Sequence, residues 1–274
     1  MDALVAEHHE IVVVVTQEPS RRRRGAPPEP TAVGLRAEEL GIPVVSDPNE
    51  VLSYGPELGV VLAYGKILRR PLIDALELVN LHLSLLPRWR GAAPVQRAIL
   101  EGDLVTGACL MRIEEGLDSG PVYGCRQVEI QKEETSAQLT ARLVAEGTDL
   151  LLEKLASAGL GEPIAQQGEP TYAKKLARDE LELSWDRDAL YLSRLVRVGR
   201  AWTTLGGKRL LIHRARPVPE GNGGGPPGTV TKTFVATGDG CLELLEVQPE
   251  GRGIVSAGEW LRGLRRDAGI VLGS

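Results

Sequence analysis

Val79-Asn80-Leu81-His82-Leu83-Ser84-Leu85-Leu86-Pro87 is the stretch from which the rest of the chain is best read. Val79, Leu81, Leu83 and Leu85 fall on one face of a period-two pattern. Asn80, His82 and Ser84 fall on the other, which predicts a strand over 79–85. Pro87 stops it, because proline has no donor for a ladder. A carboxamide, an imidazole and a hydroxyl therefore sit side by side at the C-terminal end of a strand, where open α/β sheets bind ligands. Polar faces of strands commonly meet water. Asn, however, is a poor strand residue, and the segment runs into Arg88-Trp89-Arg90-Gly91-Ala92-Ala93-Pro94, a cationic turn before the helical-looking Val95 to Leu100.

Upstream, Ile11 to Val15 is a continuous aliphatic, β-branched run, expected to be a strand buried on both faces of a parallel sheet. Thr16 to Pro30 is a loop that contains Arg21-Arg22-Arg23-Arg24-Gly25. Ala32 to Leu40 is a predicted helix ended by Gly41, and Ile42 to Val45 and Gly59 to Ala63 are short strands. Pro71 to Leu76 can start a helix. Downstream, Ala108 to Ile113 and Val122 to Ile130 are strands joined through the polar turn Glu114-Glu115-Gly116-Leu117-Asp118-Ser119-Gly120. Ser136 to Leu155 carries apolar residues at helical spacing. Strands alternating with helices predict a doubly wound, mostly parallel α/β domain over residues 1–165.

After Gly161 the pattern changes. Residues 166–182 are polar and read as a linker. Residues 183–274 hold a helix over Ala189 to Val198, then short strands at Leu210 to His213, Gly228 to Thr231, Phe234 to Ala236 and Cys241 to Val247, and a last helix over Gly258 to Leu264. Short strands separated by Gly and Pro predict a small β-barrel, of the kind found in OB-folds.

The 274 residues are 42% hydrophobic and 25% charged, the composition of an ordinary globular protein. No apolar run approaches the ~20 residues of a membrane helix, and no secretory signal pattern opens the chain. Cys109, Cys125 and Cys241 are scattered and read as reduced thiols of a cytoplasmic protein, without a disulfide framework or a metal site. Residues 1–182 carry 19 Lys and Arg against 28 Asp and Glu, whereas residues 183–274 carry 13 against 9. A basic second part suits a polyanionic partner.

Asn80, His82 and Asp118 form a chemically coherent set at one sheet edge. A carboxamide and an imidazole can donate to a developing oxyanion, and a carboxylate can accept a proton. No Ser or Cys is placed as a nucleophile, no glycine-rich phosphate loop is present, and no metal-ligand spacing occurs. The set suits attack by a substrate's own nucleophile on a carbonyl.

Asn80-Leu81-His82, Ser84 to Pro87, Arg88 to Pro94 and Gly116 to Gly120 resemble the corresponding motifs of the folate-dependent formyltransferases. The resemblance continues in Ala63-Tyr64-Gly65-Lys66-Ile67-Leu68, in Thr171 to Leu176 and in Ala236-Thr237-Gly238-Asp239-Gly240. It implies a Rossmann-like catalytic domain. It also implies transfer of a formyl group from 10-formyltetrahydrofolate to the amine of methionyl initiator tRNA by a cytoplasmic monomer that needs no metal. Asn80 and His82 would stabilise the oxyanion, and Asp118 would orient His82 and help to move the proton. Ser84, Leu85, Leu86 and Pro87 would line the folate site, with Ile67 and Leu68 enclosing the pterin. Arg21, Arg22, Arg23 and Arg24 would meet the acceptor end of the tRNA. A small amine as acceptor, such as glycinamide ribonucleotide or a nucleotide amino-sugar, and an inactive RNA-binding remnant are the alternatives.

Two departures accompany the resemblance. Position 83 is Leu where the family more often has Gly. Family members also open with a strand and a Gly-Thr-Pro loop before the segment matching Ile11 to Val15, whereas Met1-Asp2-Ala3-Leu4 resembles the tail of the helix after that loop. A late start codon or a genuine loss would each leave the sheet without its first strand.

Overall fold

The computed structural model describes residues 1–21, 27–157, 159–218, 224–264 and 269–273. The chain forms two units. The first comprises Met1–Ala92, Gly107–Gln127 and Leu143–Tyr172, and the second Ala93–Thr106, Val128–Arg142 and Ala173–Ser274.

In chain order the first elements are α1 (Asp2–Ala6), β1 (Val14–Val15), α2 (Ala32–Glu39), β2 (Val44–Val45), β3 (Gly59–Val61), α3 (Arg70–Ala75) and β4 (Leu78–His82). Then come α4 (Pro94–Glu101), β5 (Val105–Arg112), β6 (Val122–Glu129) and α5 (Ser136–Ala156). Helix boundaries follow local chemistry. Thr31 accepts from the Gly34 amide to start α2, and Gly41 beyond its end adopts φ 70°. Thr135 and Gln138 cap each other's amides at the start of α5.

β1 and β2 pair in parallel through Val14↔Val44 and Val15↔Val45. A separate four-stranded sheet runs β3-β4-β5-β6. β3 is parallel to β4, and β4 is antiparallel to β5. This is the expected Rossmann-like α/β domain, with an antiparallel step after the central strand. Val51, Leu72, Leu76 and Leu78 form one apolar cluster, against which Val13, Val15, Val45, Leu68, Ile73 and Ile113 pack. Gly147 of α5 meets Leu81 of β4 so closely that a Cβ there would lie 2.2 Å from a Leu81 methyl.

Three sequence expectations change here. The predicted strand over 79–85 stops at His82. Ser84 turns inward and donates to the Arg88 carbonyl at 2.6 Å, a local bond that competes with the ladder. The run Ile11 to Val15 is half-buried and only Val14 and Val15 join a ladder, whose partner among the described residues is β2. Cys109 and Cys125 are joined by a disulfide, so they are not the separate reduced thiols expected. Their strands, β5 and β6, are neighbours in the sheet, which a spacing of 16 residues does not reveal.

In the second unit, α6 (Ala189–Val198) starts at Asp188, whose carboxylate accepts from the Tyr191 amide. It is followed by β7 (Trp202–Leu205), β8 (Lys208–Val218), β9 (Val230–Thr231), β10 (Phe234–Ala236), β11 (Cys241–Pro249), β12 (Val255–Ser256) and α7 (Ala257–Leu264). The strands form a six-stranded sheet in the order β7-β8-β11-β10-β9, with β12 on β11. Its pairings among the described residues are antiparallel, and it stands where the small barrel was expected. Leu192 and Leu195 of α6 and Ile212, Val235, Leu242 and Leu244 of the sheet are fully buried. Gly238 donates to the carbonyls of Trp185 and Arg187, and a Cβ there would lie 1.9 Å from the Asp186 carbonyl oxygen.

Candidate active site

The site grows from the end of β4. Asn80 lies between Val61 of β3 and Met111 of β5, and His82 lies opposite Cys109. Asn80 is half-buried, and its carboxamide makes no hydrogen bond among the described residues. A polar group placed in a sheet and left without a protein partner is free to serve a ligand.

His82 is 5% exposed. Its Nε2 lies 2.9 Å from the Trp89 carbonyl. A carbonyl only accepts, so this contact assigns the proton to Nε2 and leaves Nδ1 as the nitrogen facing Asp118. Nδ1 and the Asp118 Oδ2 are 3.6 Å apart, longer than a formed hydrogen bond. The same Oδ2 accepts from the Gly91 amide at 2.7 Å. His82 and Asp118 therefore meet at the end of the strand that carries Asn80, and the loop from Trp89 to Gly91 touches both of them.

Asp118 has φ 46°, the left-handed region, which Asp tolerates better than most residues. The amide group of Gln166 donates to the carbonyls of Asp118 and Gly120, at 2.9 and 2.8 Å. Its Oε1 accepts from Nε and one terminal nitrogen of Arg90, at 3.1 and 2.7 Å. Thr171 and Tyr172 run beside the Trp89–Gly91 loop: the Trp89 amide donates to the Thr171 hydroxyl and the Arg90 amide to the Thr171 carbonyl. Sequence reading missed Gln166, Arg90 and the Trp89 carbonyl. A lone Gln in a polar linker carries no pattern, and a backbone carbonyl has no sequence signal at all.

Ser84 is fully buried, and Leu85, Leu86 and Pro87 are half-buried. Leu68 packs on the apolar cluster, whereas Ile67 is 90% exposed. The segment carrying them is tied to the Asp118 turn by Arg70, which donates twice to the Glu115 carboxylate. That bond holds the Glu115 carboxyl below the usual range. The phenol of Tyr64, buried and without a partner among the described residues, is pushed up by desolvation and then by Asp47. Arg21 is exposed just beyond the Ser20–Glu29 bridge, and Arg22, Arg23 and Arg24 lie outside the described residues. Among the described residues no cluster of His, Cys, Asp and Glu could hold a metal ion, and no helix is long and apolar enough to cross a membrane.

Residues 1–155 match the formyl transferase family, and residues 175–265 match the formyl transferase C-terminal domain.

The chain belongs to the formyl transferase family.

Among its relatives is the methionyl-tRNA formyltransferase of Jannaschia sp. (strain CCS1), 40% identical over 99% of this chain and 95% of that protein. The methionyl-tRNA formyltransferase of Cereibacter sphaeroides (strain KD131 / KCTC 12085) is 42% identical over 96% and 91%. The fold is shared with methionyl-tRNA formyltransferase from Clostridium thermocellum, at TM-score 0.56 and 16% identity over 89% of this chain and 98% of that one. It is also shared with HypX from Aquifex aeolicus in complex with tetrahydrofolic acid, at TM-score 0.59 and 18% identity over 85% and 44%. As a formyl transferase the chain is a group-transfer enzyme, and the site at the end of β4 is where its geometry can serve acyl chemistry.

Proposed function

We propose that this chain transfers a formyl group from 10-formyltetrahydrofolate to the α-amine of methionyl initiator tRNA, in translation initiation. The observation that carries the reading is identity of about 40% along nearly the whole chain to methionyl-tRNA formyltransferases. The convergence of His82 and Asp118 at the strand that carries Asn80 supplies the chemistry.

In this reading the substrate amine attacks the formyl carbon, a C–N bond forms, and the carbonyl electrons move to oxygen. The Asn80 amide, which has no acceptor among the described residues to leave, donates to that oxygen. His82, oriented through Trp89, places Nδ1 3.6 Å from the Asp118 carboxylate, where it shares the one proton that Asp118 takes up. Asp118 accepts the proton released by the amine and passes it towards the departing folate nitrogen, whose bond to the formyl carbon breaks. Ser84 to Pro87, with Ile67 and Leu68, form the folate side of the site, and Arg21 to Arg24 meet the tRNA. Residues 1–165 act as the catalytic part, 166–182 as the linker and 183–274 as the tRNA-binding part of a cytoplasmic monomer.

The test supplies the purified chain with 10-formyltetrahydrofolate labelled in the formyl carbon. Label appearing in the methionine of charged initiator tRNA supports the reading. Label transferred only to a small amine, such as glycinamide ribonucleotide or a nucleotide amino-sugar, overturns the acceptor.

A further inference from the structure

We infer that Gln166 is a positioning residue for Asp118, with Arg90 fixing its amide. The inference rests on the reading of Asp118 as the proton-accepting group.

Both donors of the Gln166 amide are used on one turn, at the carbonyls of Asp118 and Gly120. The oxygen of the same amide is held by two nitrogens of Arg90. Arginine can only donate, so the Arg90 fork excludes the flipped amide and forces the NH2 towards the Asp118 turn. The four bonds determine one another.

Asp118 needs such support. At φ 46° its backbone lies in the left-handed region, which remains strained for a residue with a side chain and persists where neighbours over-determine it. Gln166 supplies that determination from the carbonyl side. The Gly91 amide supplies it from the carboxylate side. Arg90 and Gly91 are adjacent, and Trp89 before them accepts from His82. Three consecutive loop residues thus set His82, the Asp118 carboxylate and, through Gln166, the Asp118 backbone in one register. A slip in that register changes the 3.6 Å approach of Asp118 to His82, and misplacement of reacting groups by ~1 Å can cost on the order of 10²-fold in rate.

A plain staple of the linker would use the same residue differently. It would need only the Arg90 contact, which a carboxylate keeps. Gln166→Glu retains the acceptor for Arg90 but opposes two carbonyls with a group that cannot donate. Gln166→Leu removes both contacts.

The experiment measures kcat and both KM values for Gln166→Leu, Gln166→Glu, Asp118→Asn and the doubles with Asp118→Asn, with melting curves to confirm folding. The expected result is a kcat loss of ~10-fold or more for both Gln166 variants. KM for methionyl-tRNA and for 10-formyltetrahydrofolate should stay within about 2-fold. In the Asp118→Asn background either Gln166 change should cost under about 2-fold, because residues acting as one unit are not additive. Wild-type kcat for Gln166→Glu, or full additivity in the doubles, overturns the inference while leaving Asp118 catalytic. If Gln166→Leu fails to fold, Gln166→Glu alone decides. Wild-type kcat for Asp118→Asn overturns the reading of Asp118 itself and this inference with it.

Discussion

His82 and Asp118 face each other across 3.6 Å, imidazole Nδ1 to carboxylate Oδ2. The carboxylate is already held by the Gly91 amide at 2.7 Å, so the approach is set by the loop rather than by a bond between the two side chains. Asp118→Asn keeps an oxygen for Gly91 but cannot take up a proton. Loss of a positioned acid–base group costs typically 10²–10⁴-fold. The expected outcome is a fall in kcat of about 10²-fold or more with melting behaviour unchanged. A steady-state assay at wild-type kcat would remove Asp118 from the chemistry.

Gly120→Ala tests the turn. A Cβ at Gly120 would lie 1.9 Å from the Arg112 carbonyl oxygen, a backbone atom that cannot step aside alone. The turn or the end of β5 must move, and overpacking of this kind costs about 1–3 kcal/mol. The urea midpoint should fall and kcat should fall with it. Unchanged stability and activity would show that the Asp118 turn is not held at this distance.

How much of this was legible in the sequence differs from residue to residue. The alternation at Val79 to His82 gave the central strand and the shared face of Asn80 and His82, because a period of two is a direct consequence of the pleat. It could not give the strand's end, which is decided by the Ser84 hydroxyl bonding to Arg88. The Ala189 to Val198 helix was legible at both ends, since Asp188 caps one and Gly199 follows the other. The Cys109–Cys125 disulfide was not, because it depends on which strands become neighbours. Asp118 stood out through its glycines and its family resemblance. Gln166 did not, because its role exists only once a distant linker lies beside the turn.

Arg21 to Arg24 carry the prediction about RNA. Each guanidinium that pairs with a phosphate releases counterions and steepens the dependence of binding on salt. Changing all four to Ser should raise KM for methionyl-tRNA. It should also flatten the salt slope by up to about 0.7–0.9 log units for every phosphate left unpaired. Affinity for 10-formyltetrahydrofolate should hardly change. Measuring both ligands at two salt concentrations decides the matter, since an unchanged tRNA slope takes these arginines out of the interface.

Cys241 provides a pH-dependent check on the second unit. Burial, and then Glu243, push its thiol pKa up. Less thiolate is present at any given pH below that raised value, and the side chain is only 3% exposed. Alkylation in the native protein near pH 8 should therefore be much slower than in urea. Equal rates in the two conditions would mean that β11 is not covered as described.

The central claim is that Asn80 and His82 carry formyl transfer, and the most direct measurement is kcat for formylation of methionyl-tRNA by Asn80→Ala and His82→Ala. Removal of one oxyanion donor, the part given to Asn80, typically costs 10²–10³-fold, and loss of a positioned acid–base group, the part given to His82, typically costs 10²–10⁴-fold. Both variants are expected to lose at least ~10²-fold in kcat while melting as cooperatively as the parent. Formylation by either variant at close to the parent rate would contradict the account.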